Sequence, residues 1–272
     1  MPILHAIILG IIQGITEFLP ISSSGHLTII PQILGWNDLS DAAGKTFDIA
    51  LHVGTLIGAV AYLRNDILEI IKGCLKALKE KTMNHQAEFG LLILITTIPG
   101  ALLGALFESK ISSNLSNPIL IASMLIVFGL VLYFVDKRKG QRDSDKFSIK
   151  DAIVVGAAQA LALQPGVSRS GITMTALRAK NFTREASARL SFLMLIPIVA
   201  GAALYSGTKG IAKGTITSDM ISPMIAGVIT SAFVGYLSVF YLLKLIKNMP
   251  FTSFVIYRVL AGIGIFIWYF TK

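Results

Sequence analysis

The chain is poor in charge and in cysteine. Only 14% of its 272 residues are charged and 54% are hydrophobic, whereas a soluble domain carries about a quarter charged residues. This deficit excludes an ordinary soluble domain and predicts an all-α integral membrane protein. The single cysteine, Cys74, excludes an internal disulfide and a cysteine-based metal cluster. The net charge of +9 is therefore interpreted as a signal of membrane topology, and we expect no nucleic-acid partner.

Six apolar stretches are long enough to cross a bilayer, which takes about 17–25 residues in a helix. Two further apolar segments, 3–34 and 152–180, are each broken in the middle by proline, glycine and serine. Proline ends a helix, and irregular backbone at membrane depth must be buried in protein or line a wet cavity. We therefore predict two re-entrant helix pairs, with single kinked spans as the alternative. The six crossings are predicted at 47–63, 89–107, 118–135, 187–206, 222–243 and 251–270.

The basic residues sort between two faces under this arrangement. Five of the 24 fall on one face, 17 on the other, and only Arg169 and Arg258 are assigned to neither face. Loops rich in Lys and Arg stay in the cytoplasm, so we expect both termini on the extracytoplasmic side of a multi-pass protein. The charged segment 64–88 has apolar residues at helical spacing and is predicted to be a short interfacial helix.

Two polar segments repeat at a constant offset of 146 residues. Gly10, Gln13, Ser22, Ser24 and Gly25 correspond to Gly156, Gln159, Ser168, Ser170 and Gly171. We predict a single membrane domain, 1–272, built from repeat one (1–135), a hydrophilic cytoplasmic linker (136–151) and repeat two (152–272). Each half contains three crossings, an odd number, so the halves form an inverted-topology repeat. Such repeats with broken helices place a binding site near the midplane between them.

The first broken segment carries an unusual carboxylate. Gln13 and Glu17 are four residues apart and share one helix face. Ionisable groups inside a membrane are costly and usually mark a site. Glu17 is a candidate metal ligand or proton acceptor, because Mg²⁺ takes one or two carboxylates together with substrate phosphate oxygens. A structural hydrogen-bond pair between helices is the alternative.

A serine run and a histidine follow Pro20 in the same segment. Ser22, Ser23 and Ser24 could cap the next helix, or form an anion site with Gly25 at its N-terminus. His26 can hold or pass a proton near neutral pH. Either a serine or His26 could act as the nucleophile, or His26 could activate a water, and these residues alone do not choose among the three.

The second broken segment contributes a cation. The guanidinium of Arg169 can bind two phosphate oxygens at once, and Ser168, Ser170 and Thr173 add hydroxyl groups around the same helix start. A structural salt bridge from Arg169 to Glu17 is the alternative.

Three other polar residues lie in apolar sequence. Arg258 is interpreted as a structural or snorkelling residue. Asp48 and His52, four residues apart, are interpreted as a structural pair or as support for the site.

The two broken segments carry a family resemblance. Residues 13–26 and 165–173 resemble the two signatures of the undecaprenyl-diphosphatase family (BacA/UppP), known from bacitracin resistance, and the similarity extends along the whole chain. The resemblance implies hydrolysis of undecaprenyl diphosphate to the monophosphate that carries cell-wall precursors. It also implies a divalent cation (Mg²⁺ or Ca²⁺), the bacterial inner (plasma) membrane, and an active site that opens outward.

Site residues are carried over by position. Their expected roles are catalytic for Glu17, Ser23, His26 and Arg169, metal-binding for Glu17, and substrate-binding for Gln13, Ser22, Ser24, Gly25, Ser168, Ser170, Gly171 and Thr173. Since Gln13 occupies the family's first acidic position, a scheme that needs two carboxylates is not expected.

Two rival interpretations are weighed against this resemblance. The type 2 phosphatidic acid phosphatases are set aside, because no histidine follows Ser168 and Arg169. A polyprenyl-phosphate transporter or flippase with the same midplane site is the alternative function. The expected partners are undecaprenyl diphosphate and membrane lipids, and a homodimer is left open.

Overall fold

The protein is all-helical in a computed structural model that describes residues 1–36, 38, 41–114, 116–212 and 217–272. Within those ranges there are eleven α-helices and no β-strand. They are α1 (Ile3–Thr16), α2 (Ser23–Leu34), α3 (Asp41–Tyr62), α4 (Arg64–Glu80), α5 (His85–Asn114), α6 (Pro118–Asp136), α7 (Ile149–Ala160), α8 (Arg169–Ala179), α9 (Arg184–Ala212), α10 (Ser218–Leu245) and α11 (Thr252–Thr271). Short 3-10 turns occur at Ser144–Lys146 and Leu161–Leu163.

Five helices are long and apolar enough to cross a membrane: α5, α6, α9, α10 and α11. Their outer surface is apolar: Leu204 is 72% exposed, Phe233 66% and Phe270 74%. Large apolar surfaces of this kind are not left to water, and they face lipid in a multi-pass membrane protein. The predicted all-α membrane class is confirmed, and each of these helices overlaps a predicted crossing.

The sixth predicted crossing, 47–63, lies in α3. This helix is long and apolar enough to cross a membrane only together with α4, from which it is bent by 78°. Lys45, Asp48 and His52 lower the hydropathy of its first half. No residue of α4 is buried. The bend separates α3 from a charged amphipathic helix at 64–80, within the segment predicted to lie at the interface.

The two broken segments form short helix pairs, α1–α2 and α7–α8. At 1.5 Å per residue, the 14 residues of α1 and the 12 of α7 extend roughly 21 and 18 Å, which is less than the roughly 30 Å of a bilayer core. The connecting turns, here called the first tip (residues 17–22) and the second tip (residues 164–168), lie between the helices of each pair.

Helix packing follows the sequence repeat. The helix α1 packs on α10, as its counterpart α7 packs on α5; α3 packs on α10, as α9 packs on α5; and α6 packs on α11. Each of these contacts has an equivalent when the helices of the two halves are exchanged. The interfacial helix α4 has no counterpart in the second half. The exact division at 135 and 151 stays a prediction.

Ion pairs fix the hydrophilic linker at both ends. Asp136, 3% exposed, accepts from Arg178 Nε at 3.0 Å and from Arg184 Nε at 2.8 Å. Asp151 accepts from Arg142 Nη2 at 2.5 Å. These ion pairs hold the linker against the ends of α8 and α9.

Candidate active site

The two tips meet, although almost 150 residues separate them. The backbone N–H of Gly166 in the second tip donates to Ser22 Oγ in the first at 3.1 Å. Ser170 Oγ, in the first turn of α8, donates to the carbonyl of Leu19 at 2.9 Å. The predicted meeting of the two broken segments is therefore present, and it uses the repeated serines.

Ser22 and Ser168 have the same unusual conformation at equivalent positions. Their φ angles are +76° and +73°, a region that non-glycine residues enter at a cost of about 1–3 kcal/mol. Each side chain caps the helix that follows: Ser22 Oγ accepts from Gly25 N at 3.3 Å and Ser168 Oγ from Gly171 N at 3.1 Å. The strained turn and the cap together bring the first residues of α2 and α8 to the junction.

Arg258, in α11, binds the backbone of both tips. It is fully buried, so it is a structural residue and does not snorkel. Its Nη1 donates to the Pro20 carbonyl at 3.1 Å, and its Nη2 donates to the Gly166 and Val167 carbonyls at 2.9 and 3.1 Å. Further bonds reach the carbonyls of Leu125 (2.9 Å) and Met124 (3.3 Å) in α6. One guanidinium thus fixes both tips to the same scaffold.

Glu17 lies at the centre of the junction. Its Oε2 accepts from Ser23 Oγ at 2.6 Å and from Gln13 Nε2 at 3.1 Å. Its Oε1 accepts from Arg169 Nη2 at 3.2 Å, and His52 Nε2 lies 3.5 Å from Oε2. The Glu17–Arg169 salt bridge considered from the sequence is therefore present. Gln13 and Glu17 also bond each other, but within the end of α1 and not between helices.

Ser23 and Arg169 occupy equivalent positions, each the first residue of its helix. They approach the two oxygens of Glu17 from opposite repeats. Helix α9 fixes this geometry: Phe192 packs edge-on against Phe18 with ring centroids 5.3 Å apart, and the Ser191 carbonyl accepts from Arg169 Nη1 at 2.8 Å. A carboxylate, a hydroxyl and a guanidinium consequently converge with little freedom to move.

These groups line a cavity of about 260 Å³. The apolar part of the lining includes Ile49, Leu163, Ile198, Val199 and Ala202. The polar lining comprises Glu17, Ser23, Ser24, His52, Gln159, Ser168 and Arg169. A cavity lined by a guanidinium, hydroxyl groups and apolar side chains can hold an amphiphile whose headgroup is anionic.

His26 does not converge with Glu17 and Arg169, contrary to the sequence expectation. It is not among the residues lining the cavity. Its Nδ1 donates to the Ser22 carbonyl at 2.7 Å, and its Nε2 lies 2.6 Å from Tyr257 Oη on α11. The reason is local, since the first-turn carbonyl of Ser22 draws the ring back along α2 and toward α11. In this conformation His26 supports the first tip.

Several other predicted substrate ligands also lie behind the cavity lining. Gln13 is fully buried and supports Glu17. Ser22, Gly25, Ser170 and Gly171 form the caps and cross-bonds described above. Thr173 Oγ1 lies 2.8 Å from Ser191 Oγ, a contact that joins α8 to α9. Of the predicted substrate-binding set, Ser24 and Ser168 line the cavity itself.

Two cavity residues escaped the prediction of the site. His52 was interpreted as part of a structural pair with Asp48 or as support for the site. Its Nδ1 bonds the backbone carbonyl of Asp48 at 2.7 Å, which turns Nε2 toward Glu17. Gln159 was noted only as part of the repeat. Its position, equivalent to that of Gln13, is the signal that could have identified it.

Oxygen atoms dominate the donors that a metal ion could use here. No group of three or more His, Cys, Asp or Glu residues that could hold a metal occurs in the part of the chain that the structure describes. One carboxylate, Glu17, and the amide of Gln159 line the same cavity. Mg²⁺ and Ca²⁺ prefer oxygen ligands, and Mg²⁺ in particular is often held by one carboxylate and substrate phosphates. The donor set fits such a cation.

Comparison with known proteins agrees with this geometry. Residues 6–264 match the family described as bacitracin resistance protein BacA. The chain belongs to that family. It is similar to proteins named undecaprenyl-diphosphatase from Hahella chejuensis (40% identical over 265 residues, 97% of each chain) and Trichlorobacter lovleyi (44% over 267 residues, 97% of this chain and 96% of the relative). A third, from Geobacter sulfurreducens, is 42% identical over 274 residues and the full length of both chains. All three BacA relatives carry the same activity in their name.

Proposed function

We propose that this membrane protein is an undecaprenyl-diphosphatase, which hydrolyses undecaprenyl diphosphate to undecaprenyl phosphate and inorganic phosphate. The observation that carries the proposal is the junction of Glu17, Ser23 and Arg169 in the lining of a part-apolar cavity. Full-length relatives at about 40% identity share the activity by name. The activity recycles a lipid carrier for cell-wall synthesis and accounts for bacitracin resistance.

The cavity suggests how the substrate is seated. The terminal phosphate binds Arg169 and the N-terminal turns of α2 and α8, where free N–H groups and the helix dipoles favour an anion. Arg169 is already held by Ser191, so it is oriented before the substrate arrives. The polyprenyl chain leaves along the apolar part of the lining that contains Ile198 and Val199 and reaches the lipid.

Ser23 is the proposed nucleophile. Its Oγ donates to Glu17 at 2.6 Å, an arrangement in which the carboxylate can accept the hydroxyl proton during attack. A bond forms between Ser23 Oγ and the terminal phosphorus, while the anhydride bond to the bridging oxygen breaks and undecaprenyl phosphate departs. Water then attacks the phosphoserine, which releases inorganic phosphate and restores the hydroxyl. Arg169 neutralises the charge on the transferring group throughout.

The cation implied by the family would be held by Glu17 and the substrate phosphates. When bound, it would offset negative charge on the phosphoryl oxygens. The residues of the chain perform the remaining tasks: Arg169 orients the phosphate, Ser23 attacks, and Glu17 accepts the proton. His52 Nε2, 3.5 Å from Glu17, holds that carboxylate in place.

We further infer that the protein lies in the bacterial plasma membrane with both termini on the extracytoplasmic side and the active site opening outward. The distribution of Lys and Arg between the two faces supports this orientation. Single cysteines introduced near either terminus, in a Cys74→Ala background, should react with a membrane-impermeant maleimide on intact cells. Labelling only after lysis would reverse the orientation.

Phosphate release tests the function directly. Purified protein in detergent should release inorganic phosphate from undecaprenyl diphosphate, and a chelator should suppress the release. Detergent micelles have no second compartment, so release there excludes transport as the source of the signal. Substrate crossing in proteoliposomes without any hydrolysis would favour the flippase alternative.

A further inference from the structure

Gln159 carries an acceptor oxygen with no hydrogen-bond partner in a buried position. The residue is 2% exposed and lines the cavity that contains Glu17 and Arg169. Its Nε2 donates to the Thr96 carbonyl of α5 at 3.1 Å, which orients the amide and commits its nitrogen. Oε1 of Gln159 and Oε1 of Gln13 are the two buried side-chain oxygen or nitrogen atoms without a partner in the described ranges.

The scaffold is built to hold this side chain. Gly156 lies one turn earlier on α7, and a Cβ there would come within 3.0 Å of the Thr96 carbonyl oxygen. The missing side chain lets α7 approach α5 closely enough for Gln159 to reach Thr96. In the first repeat, Gly10 lies against α10 in the same way, with a Cβ position 2.9 Å from the Gly227 carbonyl oxygen. The unpaired glutamine is thus a repeated element of the architecture.

An unpaired buried acceptor costs about 1–3 kcal/mol, and a ligand that satisfies it recovers this free energy. The ligand must be a cation or carry a donor hydrogen. Ionised phosphate oxygens are acceptors only, so the diphosphate alone cannot pair with an amide oxygen. Arg169 is already bonded to Glu17 and Ser191. A divalent cation with its bound waters meets the requirement, because amide oxygens are among its preferred ligands.

We propose that Gln159 is a cation-binding residue of the active site, and that its Oε1 binds the divalent cation that accompanies the diphosphate, directly or through a metal-bound water. The site is then shared between the repeats: Glu17 comes from the first and Gln159 from the second. The inference rests on the proposed function, since it concerns the same cavity and substrate.

Metal binding without turnover provides the test. The full-length protein in detergent is titrated with the preformed complex of Mn²⁺ and methylenediphosphonate, a non-hydrolysable diphosphate, and bound Mn²⁺ is measured by electron paramagnetic resonance. Binding of metal-free methylenediphosphonate is measured in parallel by calorimetry. Gln159→Leu removes the oxygen, Gln159→Glu adds a charge, and Gln32→Leu, at an exposed glutamine of α2, is the control.

Opposite responses of the two variants are expected. Gln159→Leu should weaken binding of the Mn²⁺ complex roughly 10-fold or more and leave binding of the metal-free diphosphonate unchanged. Gln159→Glu should tighten binding of the Mn²⁺ complex and weaken binding of the metal-free diphosphonate. A purely structural residue would not produce these opposite changes. Three results would each overturn the proposal. They are equal affinity of the wild type and both variants for the Mn²⁺ complex, weaker binding of that complex by both variants, and no Mn²⁺ binding by the wild type. Phosphate release by the wild type, assayed separately, shows whether the proposed function itself fails.

Discussion

Removal of the buried Arg258 side chain should lower the free energy of unfolding, whereas removal of an exposed arginine should not. The guanidinium makes five hydrogen bonds of 2.9–3.3 Å to carbonyl oxygens of both tips and α6. Arg258→Met keeps most of the volume but leaves the carbonyls of Pro20, Gly166 and Val167 without a donor, at about 1–3 kcal/mol each, whereas those of Met124 and Leu125 keep their bonds within α6. The variant also avoids the desolvation of a buried charge, which is worth several kcal/mol. We therefore expect a net loss in the free energy of unfolding of about 2 kcal/mol.

Unfolding by SDS titration in mixed micelles, followed by far-UV circular dichroism, measures this loss. Arg258→Lys should fall between wild type and Arg258→Met, because an ammonium group offers three donors. Arg138→Met, at an exposed position, is the matched control and should stay within about 0.5 kcal/mol of wild type. Phosphate release by Arg258→Met should fall with stability, since the tips lose their common anchor. A stability change below about 1 kcal/mol together with normal phosphate release would refute this account of the junction.

Two further predictions concern the nucleophile and the packing of the second tip. When turnover of substrate with a labelled terminal phosphate is quenched with acid, acid-stable phosphoserine should remain at Ser23. Mass spectrometry should locate it there, and Ser23→Ala should lose it. An acid-labile label on His26 would contradict this prediction. Gly171→Ala should destabilise the protein by about 1–3 kcal/mol in the same SDS titration, because the new Cβ would lie 2.9 Å from Arg258 Nη1. Gly264→Ala, where no atom lies within 4 Å of the new Cβ, should not lower stability, and equal effects of the two would count against the packing argument.

The sequence was most informative where polar residues interrupt apolar segments. Proline, glycine and serine inside the two apolar segments predicted the helix breaks. The repeat of Gln13 and Ser22 at Gln159 and Ser168 predicted that the two broken segments meet, because inverted repeats with broken helices place a site between the halves. Glu17 and Arg169 were found for the same reason. These predictions needed only composition and order along the chain.

Side-chain direction could not be predicted in the same way. The sequence places His26 three residues after Ser23, but the Ser22 carbonyl and Tyr257 turn its ring away from the cavity. The five carbonyl partners of Arg258 are backbone atoms from three distant segments, so no residue pattern reveals them. His52 reaches Glu17 only because α3 packs beside α1. Each of these features depends on tertiary contacts.

The most direct test of the central claim, that the two tips form one phosphate site, is the turnover of Arg169→Gln on undecaprenyl diphosphate. Arg169 comes from the second tip and contacts Glu17 of the first at 3.2 Å. Loss of an arginine that stabilises a transferring phosphoryl group should lower kcat roughly 10³-fold or more, while the SDS unfolding curve stays cooperative. Arg138→Gln is the matched control and should retain wild-type turnover. A well-folded Arg169→Gln protein with kcat within about tenfold of wild type would contradict the claim.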